Sequence, residues 1–285
     1  VNGINVLSLF DGMSCGQIAL DKLGVKVDKY FAAEIKPHAI QVTQHNYPGT
    51  IQLGDVTKWK EWDLPKIDLI IGGSPCQDFS RGNKERLGLD GDKSGLFYKY
   101  FEIKNHYNPT YFVLENVIMD GKWYREISDM LKIEPVRICG SRVTAAYRDR
   151  LYWTNIGPKY FDLFGNSFCD IPLPDMTPVV LQDILESGYA DRLKARCLLE
   201  SDSRPLVTKS KMLHRYYDTG FTTIVFEDKE DKNSCRYLSQ LELERCNGVP
   251  DGYTSQLNRN KAACLIGDGW NVDVVKHILS FMEFL

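Results

Sequence analysis

The chain has 285 residues, 43% hydrophobic and 26% charged, with a formal net charge of −3. That is an ordinary globular composition, enough for one large or two modest domains. No apolar run is long enough to cross a bilayer, and Val1-Asn2-Gly3-Ile4 lacks the basic region and hydrophobic stretch of a signal peptide. None of the eight cysteines falls in a C-x-x-C pair, so neither a zinc site nor, in a chain this long, a disulfide scaffold is expected. Reduced thiols in a cytosolic setting are the better reading. The slight acidity does not advertise a nucleic-acid partner, yet charge acts within a Debye length of about 8–10 Å, so a basic cleft on an acidic body is compatible with one.

Residues 5–10 are a predicted strand running into Asp11-Gly12-Met13-Ser14-Cys15-Gly16 and an amphipathic helix through Ile18, Leu20 and Leu23, stopped by Gly24. Residues 30–34 read as a second strand ending on an acid, residues 38–45 as a helix, and residues 50–55 as a short strand again ending on an acid. Residues 67–71 are apolar, β-branched and bounded by Gly72-Gly73, so they read as a buried strand. The chain then enters Ser74-Pro75-Cys76-Gln77-Asp78-Phe79-Ser80. A lone cysteine is most often a buried structural residue. Here the glycines permit unusual backbone geometry and Pro75 stiffens the chain, which points to a thiol positioned beyond a strand's carboxyl end. Ligands of open α/β sheets sit there. Residues 96–106 are a predicted helix and residues 111–115 another strand with an acid at its end. The alternation predicts an α/β fold, a Rossmann-like and mostly parallel sheet with helices on both faces. A Gly-rich turn after the first strand and an acid after the second suit a nucleotide-like ligand. Gly12-x-x-x-Gly16 is not the dinucleotide fingerprint, so S-adenosylmethionine suits better than NAD.

After Asn155 the texture changes. Gly157-Pro158 breaks the pattern, and residues 162–178 are rich in Pro, Asp and Phe with no clear period. The expected division is a catalytic domain of residues 1–157 and 236–285, with a small irregular domain over 158–235. A short helix is expected over 180–185. Arg204, Lys209, Lys211, His214 and Arg215 precede Tyr216, Tyr217 and Phe221 with no acid among residues 204–215, a mixture that suits phosphates and unpaired bases. Residues 227–231 read as an acidic surface loop. Residues 237–246 are a predicted helix with Ser239 and Glu242 at capping-box spacing. A short helix over 261–265, a turn over 267–271 and a closing helix over 272–285 complete the chain.

Pro75-Cys76-Gln77-x-Phe79-Ser80 resembles the nucleophile motif of the DNA cytosine-5 methyltransferases, and the likeness runs through the chain in the family's order. Phe10-Asp11-Gly12 is similar to its Phe-x-Gly cofactor motif. Glu115-Asn116-Val117 is similar to its Glu-Asn-Val, Arg148-Asp149-Arg150 to its Arg-x-Arg, and Glu242-x-x-Arg245-x-x-Gly248-x-Pro250 to its late segment. Two positions depart from the pattern: Ser14 stands for the second glycine of Phe-x-Gly-x-Gly, and Ala146 for the glutamine before Arg-x-Arg. These departures resemble the animal de novo branch, whereas Gln77 and the compact length resemble phage or bacterial enzymes.

The resemblance implies an S-adenosylmethionine-dependent methyltransferase fold with a small target-recognition domain over 158–235. It implies cofactor contacts from Phe10, Asp11, Gly12, Met13, Ser14, Cys15, Gly16, Glu34, Ile35, Asp55, Val56, Pro75, Leu96, Trp270, Asn271 and Val272. Glu34 would meet the ribose, and Asp55 and Val56 the adenine. It implies Cys76 as the thiolate adding to carbon 6 of cytosine, Glu115 as the acid at ring nitrogen 3, and Arg148 and Arg150 as forked donors to the base carbonyl and phosphates. Residues 79–96 resemble the family's mobile loop. Ser80, Arg81, Lys84 and Arg86, with Lys209, Lys211 and Arg215, are the expected DNA contacts. The partner would be double-stranded DNA, with the target base flipped out of the stack. No metal and no membrane are expected, and the protein would act as a monomer or weak homodimer. The expected compartment is cytoplasmic or nucleoid-associated in a bacterial or phage host, nuclear in a eukaryote. A tRNA cytosine-5 methyltransferase of the same fold and a catalytically silent regulatory homologue are the alternatives. Cys76, Glu115, Glu34 and Asp55 all remain, which argues against the silent one.

Overall fold

The computed structural model describes residues 3–75, 95–199, 208–220 and 222–283. Its centre is a seven-stranded sheet. The strands are β1 (Ile4–Leu9), β2 (Val27–Ala33), β3 (Ile51–Gln52), β4 (Leu69–Gly72), β5 (Tyr111–Val117), β6 (Val136–Cys139) and β7 (Asp149–Thr154). Their spatial order is β3-β2-β1-β4-β5-β7-β6. The first five run parallel, and β7 runs antiparallel to both β5 and β6. The expected α/β fold, mostly parallel with helices, is what the chain adopts. The order reverses beside β1 and β4, and ligands of open α/β sheets bind outside the carboxyl ends of the strands at such a switch point.

Central strands buried on both faces carry continuous apolar runs. Leu69, Ile70 and Ile71 of β4 and Val113 and Leu114 of β5 are all fully buried. Helix α1 (Cys15–Lys22) packs tightly on this layer. A Cβ on Gly16 would lie 2.1 Å from Ile71 Cδ1, so the glycine is required by helix–strand packing. Leu23 caps α1, and Gly24 follows at φ 69°, the expected stop. Helix α2 (Pro37–Asn46) carries proline in its first turn, where the missing N–H costs nothing. Helix α3 (Leu96–Tyr107) and helix α4 (Gly121–Leu131) flank β5 in sequence. Trp153 of β7 is fully buried, and its indole N–H donates to Ser128 Oγ of α4 at 2.9 Å.

Beyond β7 lie two short hairpins, β8 (Lys159–Phe161) with β9 (Ser167–Cys169), and β10 (Ile224–Phe226) with β11 (Cys235–Tyr237). Between them are helices α5 (Leu181–Ile184) and α6 (Lys209–His214), the latter continued by a π turn over Arg215–Thr219. Cys169, Ile171, Leu181, Ile184 and Leu198 share the main core. Met212, Tyr216, Ile224, Phe226 and Cys235 form a separate small cluster. The chain returns through α7 (Gln240–Cys246), α8 (Arg259–Asp268) and α9 (Val272–Leu279).

Several boundaries differ from the sequence expectation. The strand expected over 50–55 is only two residues long, and Asp55 instead caps a 3-10 turn (Val56–Glu61) by accepting from the Thr57 N–H. The strand expected to end at Glu115 continues to Val117, because Asn116 and Val117 still pair with β7. The turn expected at 267–271 begins later, since α8 runs through Asp268, and α9 ends at Leu279. Tyr237 belongs to β11, and α7 starts at Gln240 after the Ser239 cap. The capping box itself forms: the Ser239 N–H donates to Glu242 Oε2 at 2.8 Å, and the Glu242 N–H to Ser239 Oγ at 3.2 Å.

Candidate active site

The crevice at the carboxyl ends of β1 and β2 is shaped by an unusual turn. Phe10 has φ 58°, Gly12 φ 59° and Ser14 φ 61°, so three left-handed residues fold the chain sharply into α1. A Cβ on Gly12 would meet nothing within 4 Å, which leaves the backbone open to an incoming group on that side. The Gly12 N–H donates to Glu34 Oε2 at 2.8 Å, and Glu34 Oε1 accepts from the N–H groups of Ile35 and Lys36 at 2.8 Å each. Glu34 thereby locks the β1 turn to the end of β2. Ile35 is 68% exposed beside it, an apolar side chain outside the core. Lys36 Nζ reaches Asp268 Oδ2 at 2.7 Å, joining this segment to the end of α8.

Asp11 is half-buried, and its carboxylate accepts from the Tyr30 hydroxyl at 2.9 Å and from Ser14 Oγ. Desolvation outweighs those bonds and pushes its pKa up to about 6. Ser14, in the place of the family's glycine, is fully buried and lies 3.2 Å from Thr43 Oγ1 of α2. Met13 is buried, and its carbonyl accepts from the Tyr253 hydroxyl at 2.8 Å. Cys15 is buried as well, and burial pushes its thiol up to about 12, so it stays protonated at neutral pH and does not compete as a nucleophile. Asp55 is half-buried with Val56 beneath it, and the Thr57 backbone and hydroxyl bonds hold its carboxyl below the usual range.

The second half of the site lies where β4 ends. Cys76, Ser80, Arg81, Lys84 and Arg86, with most of the expected mobile loop, lie outside the described residues; the described chain stops at Pro75 and resumes at Gly95. What leads to Cys76 is well defined. A Cβ on Gly73 would lie 2.8 Å from Trp270 Nε1 and 3.0 Å from Glu115 Oε2, so only glycine lets the chain pass between them. Ser74 is buried, and its Oγ accepts from Asn116 Nδ2 at 3.1 Å. Asn116 thus ties β5 to the turn that precedes the thiol.

Glu115 is 7% exposed. Arg150 lies across from it on β7, with Nε 2.9 Å from Glu115 Oε1. That contact is an ion pair without hydrogen-bond alignment, since Oε1 has no aligned donor among the described residues. The carboxylate therefore keeps capacity for a further proton or donor. The antiparallel β5–β7 pairing, which sets Glu115 opposite Tyr152 and Val117 opposite Arg150, brings the two motifs together.

Arg148 behaves differently from its motif partner. It is 4% exposed, and its guanidinium donates to the carbonyls of Gly267 at 3.1 Å and Asp268 at 3.4 Å, satisfying the end of α8. The structure brings Arg150, not Arg148, to Glu115. Asn271 is fully buried, caps α9 by accepting from the Val274 N–H at 3.1 Å, and donates to Thr144 Oγ1 at 2.8 Å. Val272 is buried, its N–H held by the Asn247 carbonyl at 2.9 Å, and Leu96 opens α3 half-buried. Of the distal basic residues, Lys209 bonds the Cys235 carbonyl and faces Glu227 at 3.7 Å, whereas Lys211 is exposed on α6 and Arg215 half-buried after it.

Sequence reasoning missed the roles of Gly73, Ser74 and Tyr253. Gly72-Gly73 reads as a flexible turn, and nothing in that dipeptide points to a tryptophan almost two hundred residues later. No group of three or more metal-ligating side chains occurs among the described residues, and no described helix is long and apolar enough to cross a membrane.

Residues 4–121 match the family described as C-5 cytosine-specific DNA methylase. Over 118 residues the chain is 38% identical to the type II methyltransferase M.NgoBV of Neisseria gonorrhoeae, covering 40% of this chain and 28% of that protein. The matched segment thus spans under a third of that relative's length. It is 25% identical over 309 residues to the type II methyltransferase M1.ScrFI of Lactococcus lactis subsp. cremoris, covering 97% of this chain and 77% of that one. Among solved structures, the S. pombe Dnmt2 methyltransferase aligns with a TM-score of 0.68 at 16% identity, over 97% of each chain. The Entamoeba histolytica methyltransferase EhMeth aligns at 0.70 and 14% identity, over 99% of this chain and 98% of that one. At such identities these two speak for the fold. The family match spans the Phe10-Asp11-Gly12, Pro75-Cys76-Gln77 and Glu115-Asn116-Val117 motifs.

Proposed function

We propose that this chain, similar to the C-5 cytosine methyltransferases, methylates carbon 5 of cytosine in double-stranded DNA with S-adenosylmethionine as donor. The observation that carries the reading is the pairing of buried Glu115 with half-buried Arg150 beside Gly73, three residues before Cys76. Carbon 5 of cytosine is a weak nucleophile. The Cys76 thiolate would add to carbon 6, forming a carbon–sulfur bond and pushing electron density onto carbon 5 and nitrogen 3. Glu115 would share a proton with nitrogen 3 as that charge builds. Arg150 would hold Glu115 in place and donate to the base carbonyl through its forked guanidinium. Loss of the carbon 5 proton, to water in our reading, returns the electrons and expels the Cys76 thiolate.

The cofactor crevice fits the group it would hold. Gly12 leaves its backbone open, Ile35 is an exposed apolar side chain beside it, Glu34 would accept from the ribose hydroxyls, and Asp55 and Val56 would meet the adenine. When bound, S-adenosylmethionine supplies an electrophilic methyl group. Phe10, Met13, Val56, Trp270 and Pro75 would enclose it and keep water away from carbon 5. Arg148, Asn271 and Val272 would act at one remove, by fixing the ends of α8 and α9 on either side of Trp270. We assign target recognition to residues 158–235, supported by the separate small cluster that α6, β10 and β11 build. Exposed Lys211 and half-buried Arg215 are the DNA contacts this assignment uses.

The test is covalent capture. Duplex DNA carrying 5-fluorocytosine cannot lose its carbon 5 substituent, so it should be trapped on Cys76 with the methyl group attached. Cys76→Ser should abolish both the adduct and methyl incorporation. Undiminished methyl transfer by Cys76→Ser sinks the assignment. Incorporation into tRNA with none into duplex DNA would move the substrate from DNA to RNA.

A further inference from the structure

At the far end of the sheet from the candidate active site, where β5 begins, the described residues line a partly open pocket of about 220 Å³. Lys104 of α3, Lys132 just after α4 and Lys159 at the start of β8 line it, with Phe112 and Asn155 among the other lining residues. No lining residue is acidic. None of the three lysines has an ion pair among the described residues. Among the described residues Lys104 bonds Asn105 Oδ1 at 3.3 Å, and its ammonium sits 4.9 Å above the Phe112 ring. Burial and the charge of Lys159 both depress the Lys104 pKa. The floor is rigid: Asn155 accepts from the Phe112 N–H at 2.8 Å and donates to the Thr110 carbonyl at 2.9 Å.

Helix carbonyl ends attract cations, and α3 and α4 both end near here. That explains Lys104 and Lys132 singly. It does not explain Lys159, which lies on a strand, or the proximity of its charge to Lys104 beside a pocket whose lining holds no carboxylate. Like charges so placed repel unless something anionic lies between them. We propose that this cavity binds a phosphate group. Ammonium groups bind phosphate as point charges, and the Lys104–Lys159 pair, with Lys132 on the same lining, supplies the charge a doubly charged oxyanion needs. The group belongs either to a free phosphorylated small molecule or to a nucleic-acid segment other than the one at the catalytic end.

Calorimetric titration of the full chain with inorganic pyrophosphate tests this. Wild type should bind, and Lys104→Gln and Lys159→Gln should each weaken binding about tenfold, with the double variant weaker still. The urea midpoints of these variants should stay near that of wild type, since the cavity needs no lysine to fold. A 20-base-pair duplex then separates the sources. Loss of duplex affinity in the double variant, with pyrophosphate competing, identifies a backbone phosphate, and unchanged duplex affinity identifies a free ligand. Absence of pyrophosphate binding, or equal affinity in wild type and double variant, overturns the proposal.

Discussion

Gly73→Ala is the sharpest test of the site geometry, because it adds one methyl group between two residues that no local pattern connects. The new Cβ would lie 2.8 Å from Trp270 Nε1 and 3.0 Å from Glu115 Oε2. Carbon atoms in contact settle near 3.5–4.0 Å, so roughly half an ångström or more of movement is forced on the indole, the carboxylate or the β4 turn. Gly73 is not among the glycines at positive φ, so alanine brings no backbone strain. Stiffening the unfolded chain returns about 0.4–1 kcal/mol, and overpacking costs about 1–3 kcal/mol. We expect a net loss of about 0.5–2 kcal/mol in urea unfolding. Activity should fall much further. A misplacement of about 1 Å at a reacting group costs about 10²-fold, and Glu115 is the group displaced. The assay is methyl incorporation into duplex DNA at saturating S-adenosylmethionine, beside urea unfolding of the same preparation. A variant with wild-type stability and methyl transfer within twofold of wild type would refute the packing of Gly73 between Trp270 and Glu115.

The Asp11 carboxyl is raised from 3.8 to about 6 on folding, so the folded chain holds a proton that the unfolded chain releases between those values. Its contribution favours folding below pH 4 and is lost as pH rises through 6, at most about 3 kcal/mol on the scale of 1.36 kcal/mol per pH unit. Asp11→Asn should therefore gain stability relative to wild type as pH rises from 4 to 7, read by urea unfolding at several pH values; a pH-independent difference would contradict the shift. Arg148→Lys should lose about 1–3 kcal/mol of stability by freeing the Gly267 and Asp268 carbonyls, whereas Arg150→Lys should mainly slow methyl transfer. Equal effects of the two on both readouts would erase the distinction drawn between them. Ser239→Ala should cost about 1 kcal/mol by opening the α7 capping box, with methyl transfer unchanged, as thermal unfolding and the same assay would reveal.

Much of this protein can be read from local pattern. The β–turn–α rhythm, the apolar run before Gly72, the stop at Gly24 and the Ser239–Glu242 box each depend on neighbours a few residues apart, so their physics is written in the chain itself. Composition and spacing likewise give an α/β protein with chemistry at the carboxyl ends of its strands. What only the tertiary structure decided is which distant side chains meet. The antiparallel return of β7 beside β5 selects Arg150 rather than Arg148 as the partner of Glu115, because Arg150 lies in the β7 ladder beside β5 whereas Arg148 precedes the strand. The same assembly hands Arg148 to the end of α8 and sets Trp270 against Gly73. Contacts across more than a hundred residues depend on how layers stack, and periodicity in the sequence carries no record of that register.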